Sequence, residues 1–265
     1  MPQWFGFAIF FPVVTLLYGA AHYYIYSWFV RLVGPPKKVR RILFYVFIFL
    51  VASFPAGKIL GWRNFNAFNY WLNLIAAVWM GHAFYFFLFA LASDLLITLA
   101  KITGLGRKRR VRNPLFYKRA LAAVVAGGVL IIGGYALLEA RSCRVTRMEI
   151  HLRGLPPELD GFSIVQISDI HYGMLTGNQE LSRILGRVND LQPDMVAITG
   201  DLVDESVSHM EEMRVPLSRI KSRHGVFAVT GNHEYYAGVD RAAAIMKAAN
   251  IRVLRNEVQV LPGGL

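Results

Sequence analysis

Ser163-Ile164-Val165-Gln166-Ile167-Ser168-Asp169-Ile170-His171 is an apolar run that delivers a carboxylate and an imidazole, two residues apart, at its carboxyl end. Two later runs repeat the device. Residues 195–199 lead into Gly200-Asp201-Leu202-Val203-Asp204, and residues 226–230 lead into Gly231-Asn232-His233-Glu234. Short continuous apolar runs of this kind read as buried strands of a parallel sheet. In open α/β sheets, ligands gather where such strands end. A single Asp at a turn does no more than cap a loop. Five such residues behind three consecutive strands predict one crevice lined by oxygen and nitrogen donors, a set suited to divalent cations of borderline hardness.

Each residue type has a chemical reason to be there. A carboxylate and a neutral imidazole at i, i+2 can grip one cation from the same side. The carboxylate of Asp201 has two oxygens and can bridge two cations. An Asn oxygen adds coordination without charge. Two cations about 3.5–4 Å apart clamp a phosphoryl group and acidify a water nucleophile. His233, beside Asn232, could then protonate the leaving oxygen or hold the charge that develops there.

The three segments together, Asp-x-His, Gly-Asp-x-x-Asp and Gly-Asn-His-Glu, resemble the calcineurin-like metallophosphoesterases. The stretch from about Arg147 to Leu254, with Leu155-Pro156-Pro157-Glu158-Leu159-Asp160-Gly161 ahead of the first strand, looks like the membrane-anchored bacterial branch of that family. The resemblance implies a layered α-β-β-α sandwich and two divalent metal ions (manganese, iron or zinc). Asp169 and His171 would bind the first metal, Asp201 would bridge the pair, and Asn232 would bind the second. His233 would act on the leaving group, and Asp204 would orient His233 by a hydrogen bond. The family's pattern continues with a further His and a Gly-His-x-His segment. No His follows His233 in this sequence, so the expectation is a C-terminally truncated piece of a longer protein. A metal site with half its ligands binds weakly, so little activity is expected of these residues alone.

The first half of the chain has a different character. Residues 1–140 carry 15 Lys and Arg against 2 Asp and Glu, whereas residues 141–265 carry 14 against 15. The net charge of +12 therefore belongs to the first half, where basic clusters flank long apolar runs. That arrangement points to membrane topology rather than to a nucleic-acid surface, and the bilayer is the expected partner. Runs at 4–33, 42–60, 70–100 and 120–138 each suffice for about 20 residues of hydrocarbon core. The domains expected are thus an all-α transmembrane region of about four helices over 1–140 and the first part of a metallophosphoesterase domain over 141–265. Lys37, Lys38, Arg40 and Arg41 follow the first run, and Arg107, Lys108, Arg109, Arg110 and Arg112 follow the third. The positive-inside rule makes both loops cytoplasmic. With four crossings, everything after Leu138 lies outside the inner membrane. His22, His82 and Asp94 fall inside apolar runs, where ionisable groups are functional candidates.

In the second half, Met148, Ile150 and Leu152 alternate with polar residues and predict a half-buried strand. Asn178 is placed to cap a helix carrying Leu181, Leu185 and Val188 on one face. Further helices are expected over 207–221 and 240–250, and further strands over 251–254 and 258–261. His151, His209 and His224 read as surface residues. The single Cys143 excludes an internal disulfide.

Two functions fit. One is a membrane-bound phosphoester hydrolase with a dinuclear site. Its substrate would be a lipid-linked phosphate or, equally, a soluble nucleotide or phosphodiester. The other is a non-catalytic membrane sensor or scaffold built on a degenerate phosphoesterase domain.

Overall fold

The computed structural model describes residues 3–63, 66–104, 113–204 and 209–261, with the side chains of 3–12 and 61–63 excepted. The first half is helical: α1 (Gln3–Val33), α2 (Lys37–Arg63), α3 (Ala67–Ile102) and α4 (Pro114–Ala140). Local chemistry accounts for the breaks. Gly34-Pro35-Pro36 separates α1 from α2. Asn113 caps α4, its side chain accepting the Phe116 N–H at 3.1 Å, with Pro114 at the first helical position. Among the described residues, three helices are long and apolar enough to cross a membrane: Lys37–Leu60, Ala67–Ile102 and Pro114–Ala140. The basic stretch 107–112 lies outside the described residues.

The ionisable residues singled out in the apolar runs have partners. His22 is buried, with Nδ1 2.8 Å from the Tyr18 carbonyl and Nε2 accepting from Trp79 Nε1 at 2.9 Å. Asp94 accepts from Tyr24 Oη at 2.8 Å and from Arg31 Nη2 at 2.6 Å. Trp28 Nε1 donates to Ser93 Oγ at 2.9 Å. Four of these bonds, Trp79 to His22, Tyr24 and Arg31 to Asp94, and Trp28 to Ser93, tie α1 to α3. His82 Nδ1 lies 2.7 Å from the Val78 carbonyl in its own helix.

The second half alternates strand and helix: β1 (Ile164–Ile167), α5 (Asn178–Asp190), β2 (Met195–Ile198), a 3-10 turn (Met210–Met213) running into α6 (Arg214–Leu217), β3 (Val226–Ala228), α7 (Asn232–Ala237), α8 (Val239–Ala248) and β4 (Ile251–Val253). The strands pair in parallel in the order β1-β2-β3-β4. Sequential order with right-handed crossovers puts every connecting helix on one face of the sheet, and the register bears this out. Val165, Val196, Val226 and Ile251 form one row, and Ile167, Ile198, Ala228 and Val253 the next. These rows pack against Leu181, Leu185 and Val188 of α5 and Ala242, Ile245 and Met246 of α8. The intervening row, Gln166, Ala197, Phe227 and Arg252, faces the other way, and Ile164 is 49% exposed. The described residues of the second half thus form one helical layer on one sheet, with β1 and β4 at its edges.

The chain divides into two units, Met1–Gly57 with Trp71–Ser142 and Lys58–Tyr70 with Cys143–Leu265.

Four expectations need correction. Residues 147–153 form no strand, and Met148 and Ile150 are exposed; alternation makes a strand only where an edge pairs with it, and no described strand does. The same holds for residues 258–261. The helix expected over 207–221 is confined, among the described residues, to the 3-10 turn and α6, which ends one residue after Pro216. Asn178 is not the cap of α5; Gly177 holds that position. The Asn178 side chain instead accepts from Tyr172 Oη at 3.0 Å and donates to Glu212 at 3.0 Å.

Candidate metal centre

The parallel ladder continues past the strands. The Asp169 N–H donates to the Gly200 carbonyl at 3.2 Å, His171 N–H to Asp201 O at 3.0 Å, and Tyr172 N–H to Leu202 O at 2.8 Å. Asp204 N–H returns a bond to Tyr172 O at 2.8 Å. The loops after β1 and β2 therefore run side by side, and Asp169-x-His171 lies beside Asp201-x-x-Asp204. Tyr172 is buried among them, and that burial, with Glu212 adding to it, pushes its phenol up to about 12.

Asp169, His171 and Asp201 each offer one ligand atom, all within 4.8 Å of one another, and the same is true of His171, Asp204 and His233. His171 belongs to both groups. Its ring meets that of His233 edge-on, with centroids 4.4 Å apart. Asp169 is 66% exposed at its side chain and His233 only 21%, so the centre grades from open to enclosed. Asn232 opens α7 between Gly231 and His233, and its residue is exposed. The site is thus built from the carboxyl ends of β1, β2 and β3.

Three of these residues stand in the left-handed region: Asp169 at φ 55°, His171 at φ 50° and Asp201 at φ 51°. Such backbone costs of order 1–3 kcal/mol per residue and persists only where its surroundings over-determine it. Close approach supplies part of that constraint. A Cβ at Gly200 would lie 2.9 Å from the Gly231 nitrogen, and one at Gly231 would lie 2.2 Å from Asp201 Oδ1. Only two glycines let these loops touch.

The donor set passes a chemical test for a divalent cation. Carboxylate and imidazole atoms of Asp169, His171 and Asp201 converge; apart from them, His233 Nδ1 is buried with no hydrogen-bond partner. Its neighbour is Asp204 Oδ1 at 3.6 Å, beyond hydrogen-bond length.

Residues 162–263 match the family model for calcineurin-like phosphoesterases. The chain carries a calcineurin-like phosphoesterase domain. A "transmembrane protein with metallophosphoesterase domain" from Danio rerio is 32% identical over 71% of this chain and 43% of its own length. A Bos taurus protein of the same description is 36% identical over 54% of this chain and 32% of its own. An uncharacterized metallophosphoesterase of Campylobacter jejuni is 25% identical over 95% of this chain and 66% of its own length. The chain spans less than half the length of the two vertebrate relatives. No solved structure matches it.

Sequence reasoning left one residue of the phosphoesterase domain without a task. Glu234 is fully buried. Its carboxylate accepts four backbone N–H groups: Asp201 at 3.0 Å, Leu202 at 2.8 Å, Val203 at 3.1 Å and Gly231 at 2.7 Å. A signal was present, since an acidic residue three places after a helix cap is placed to reach back to the cap N–H.

Proposed function

We propose that the protein is a membrane-bound, metal-dependent phosphoester hydrolase whose catalytic domain faces the extracytoplasmic side of the inner membrane. The observation that carries this reading is the convergence of Asp169, His171 and Asp201, and of His171, Asp204 and His233, each group within 4.8 Å at adjacent strand ends. Asp169 and His171 would hold one divalent cation, Asn232 a second, and Asp201 would lie between them. Two cations held there would polarise the phosphoryl oxygens and acidify a water nucleophile. The imidazole of His233 would give a proton to the leaving alcohol. Asp204, facing Nδ1, would stabilise the imidazolium and leave Nε2 toward the substrate. Three candidate spans support membrane attachment. A lipid-linked phosphate and a soluble nucleotide or phosphodiester both fit the chemistry.

The test is a panel of phosphate esters offered to the full-length protein with manganese, iron or zinc, alongside metal content. His171→Ala should abolish metal binding. His233→Ala should leave metal occupancy unchanged and lower turnover by at least about a hundredfold. Equal metal loss in both variants contradicts these roles, and a metal-loaded protein that hydrolyses no ester favours a sensor or scaffold.

A further inference from the structure

We propose that Glu234 is a positioning residue of the metal centre: its carboxylate fills the backbone nest at residues 201–203 and thereby sets where Asp201 stands. The inference rests on the reading that Asp201 is a metal ligand.

Three successive N–H groups, from Asp201, Leu202 and Val203, point at one carboxylate. Successive N–H groups in a mixed right- and left-handed backbone form an anion-binding concavity, and Asp201 supplies the left-handed member at φ 51°. In many proteins such a nest waits for a phosphate. Here the chain's own carboxylate occupies it, so substrate must be held elsewhere. Burying a carboxylate costs several kcal/mol unless it is compensated. No ion pair to Glu234 is present among the described residues, and the four N–H groups are its compensation.

The contact is reciprocal. The loop after β2 gives three N–H groups to Glu234 on α7, while α7 gives the His233 N–H to Asp201 Oδ1 at 3.0 Å. Each loop holds the other by its carboxylate. Oε1 serves residues 202 and 203, and Oε2 serves residues 201 and 231. Gln at 234 has the same size, but either orientation turns an NH2 group against two N–H donors. Asp keeps both acceptor oxygens but lies one methylene short.

The experiment uses the full chain in detergent: wild type, Glu234→Gln, Glu234→Asp and Asp201→Asn. Mn2+ binding is read from the free-ion electron paramagnetic resonance signal, and amide exchange is read by mass spectrometry. The expected result for Glu234→Gln is Mn2+ binding weakened at least tenfold and faster exchange over residues 201–203, with α5 still protected. Glu234→Asp should recover part of both, a rescue that a general loss of packing would not produce. Should the Gln variant fail to fold, the Asp variant is judged alone by the same two measures. Mn2+ affinity within threefold of wild type, or unchanged exchange at 201–203, overturns the inference. Loss of Mn2+ binding in Asp201→Asn with none in Glu234→Gln overturns it while leaving the metal reading intact. A wild type that takes up no Mn2+ sinks both.

Discussion

Replacing Gly231 by Ala probes the centre through a single methyl group. The backbone is no obstacle, because φ −95° and ψ −171° suit any residue. The cost is contact alone. The new Cβ would lie 2.2 Å from Asp201 Oδ1, 2.8 Å from its backbone nitrogen and 2.9 Å from its Cγ. Ordinary contact begins near 3.5 Å, so Oδ1 must retreat by more than about 1 Å. That oxygen accepts the His233 N–H, and the bond is lost as it moves. A hydrogen bond to a charged group contributes about 1.5–3 kcal/mol, which is a tenfold to hundredfold change in an equilibrium constant. Misplacement by 1 Å in a reacting array costs about a hundredfold in rate. We therefore expect Gly231→Ala to weaken Mn2+ binding ten- to a hundredfold by isothermal titration. Gly186→Ala is the control: it lies in α5 with nothing within 4 Å of the added carbon, and should be neutral or stabilising by up to about 1 kcal/mol. Equal metal affinity in the two variants would refute the close approach of Gly231 to Asp201 and the ligand role built on it.

Two further outcomes are expected. On the proposed extracytoplasmic orientation with four crossings, alkaline phosphatase fused after Leu138 should be active and a fluorescent protein fused there dark; the opposite pair of results reverses the orientation. Asp194 accepts the Ser163 N–H at 2.9 Å and the Ser163 hydroxyl at 2.8 Å. With Arg223 also nearby, these bonds hold its carboxyl below the usual carboxylate range. A depressed folded value contributes stability above the unfolded value near about 3.9, and that stability is lost as pH falls through the folded one. Asp194→Asn should therefore lower the urea midpoint at pH 7, with the gap closing below about pH 4. A gap that does not change with pH counts against the assignment.

The parts of the fold legible in the sequence were those coded locally. An apolar run ending in Asp-Ile-His or Gly-Asp announces both a strand and the chemistry at its end, and β1, β2 and β3 lie where those runs are. Asp169, His171, Asp201, Asp204 and His233 draw together because the strands are parallel and in register, which the repeated strand-then-ligand order implies. What was hidden depends on partners distant in sequence. Met148, Ile150 and Leu152 alternate as a strand does, but alternation carries no word of an edge to pair with. Asn178 has the composition of a cap and spends its side chain on Tyr172 and Glu212 instead. Glu234 reads as the last letter of a motif, and its purpose appears only when residues 201–203 are folded against α7. The left-handed backbone at Asp169 and Asp201 is likewise tertiary: nothing local demands it, and the crossing of two loops does.

The bonds joining α1 to α3 carry a consequence for biogenesis. Asp94 is the first acidic residue in the sequence, and it follows Arg31 by 63 positions. Asp94 lies eight residues before the end of α3, and Arg31 in the last turn of α1; an unpaired carboxylate within an apolar span is unfavourable to insert. Its counter-charge is synthesised first, together with Tyr24. The opening helix would therefore serve as a berth for α3 as it leaves the translocon, and a protein deprived of Arg31 should stall at that step of assembly before any chemistry is at issue.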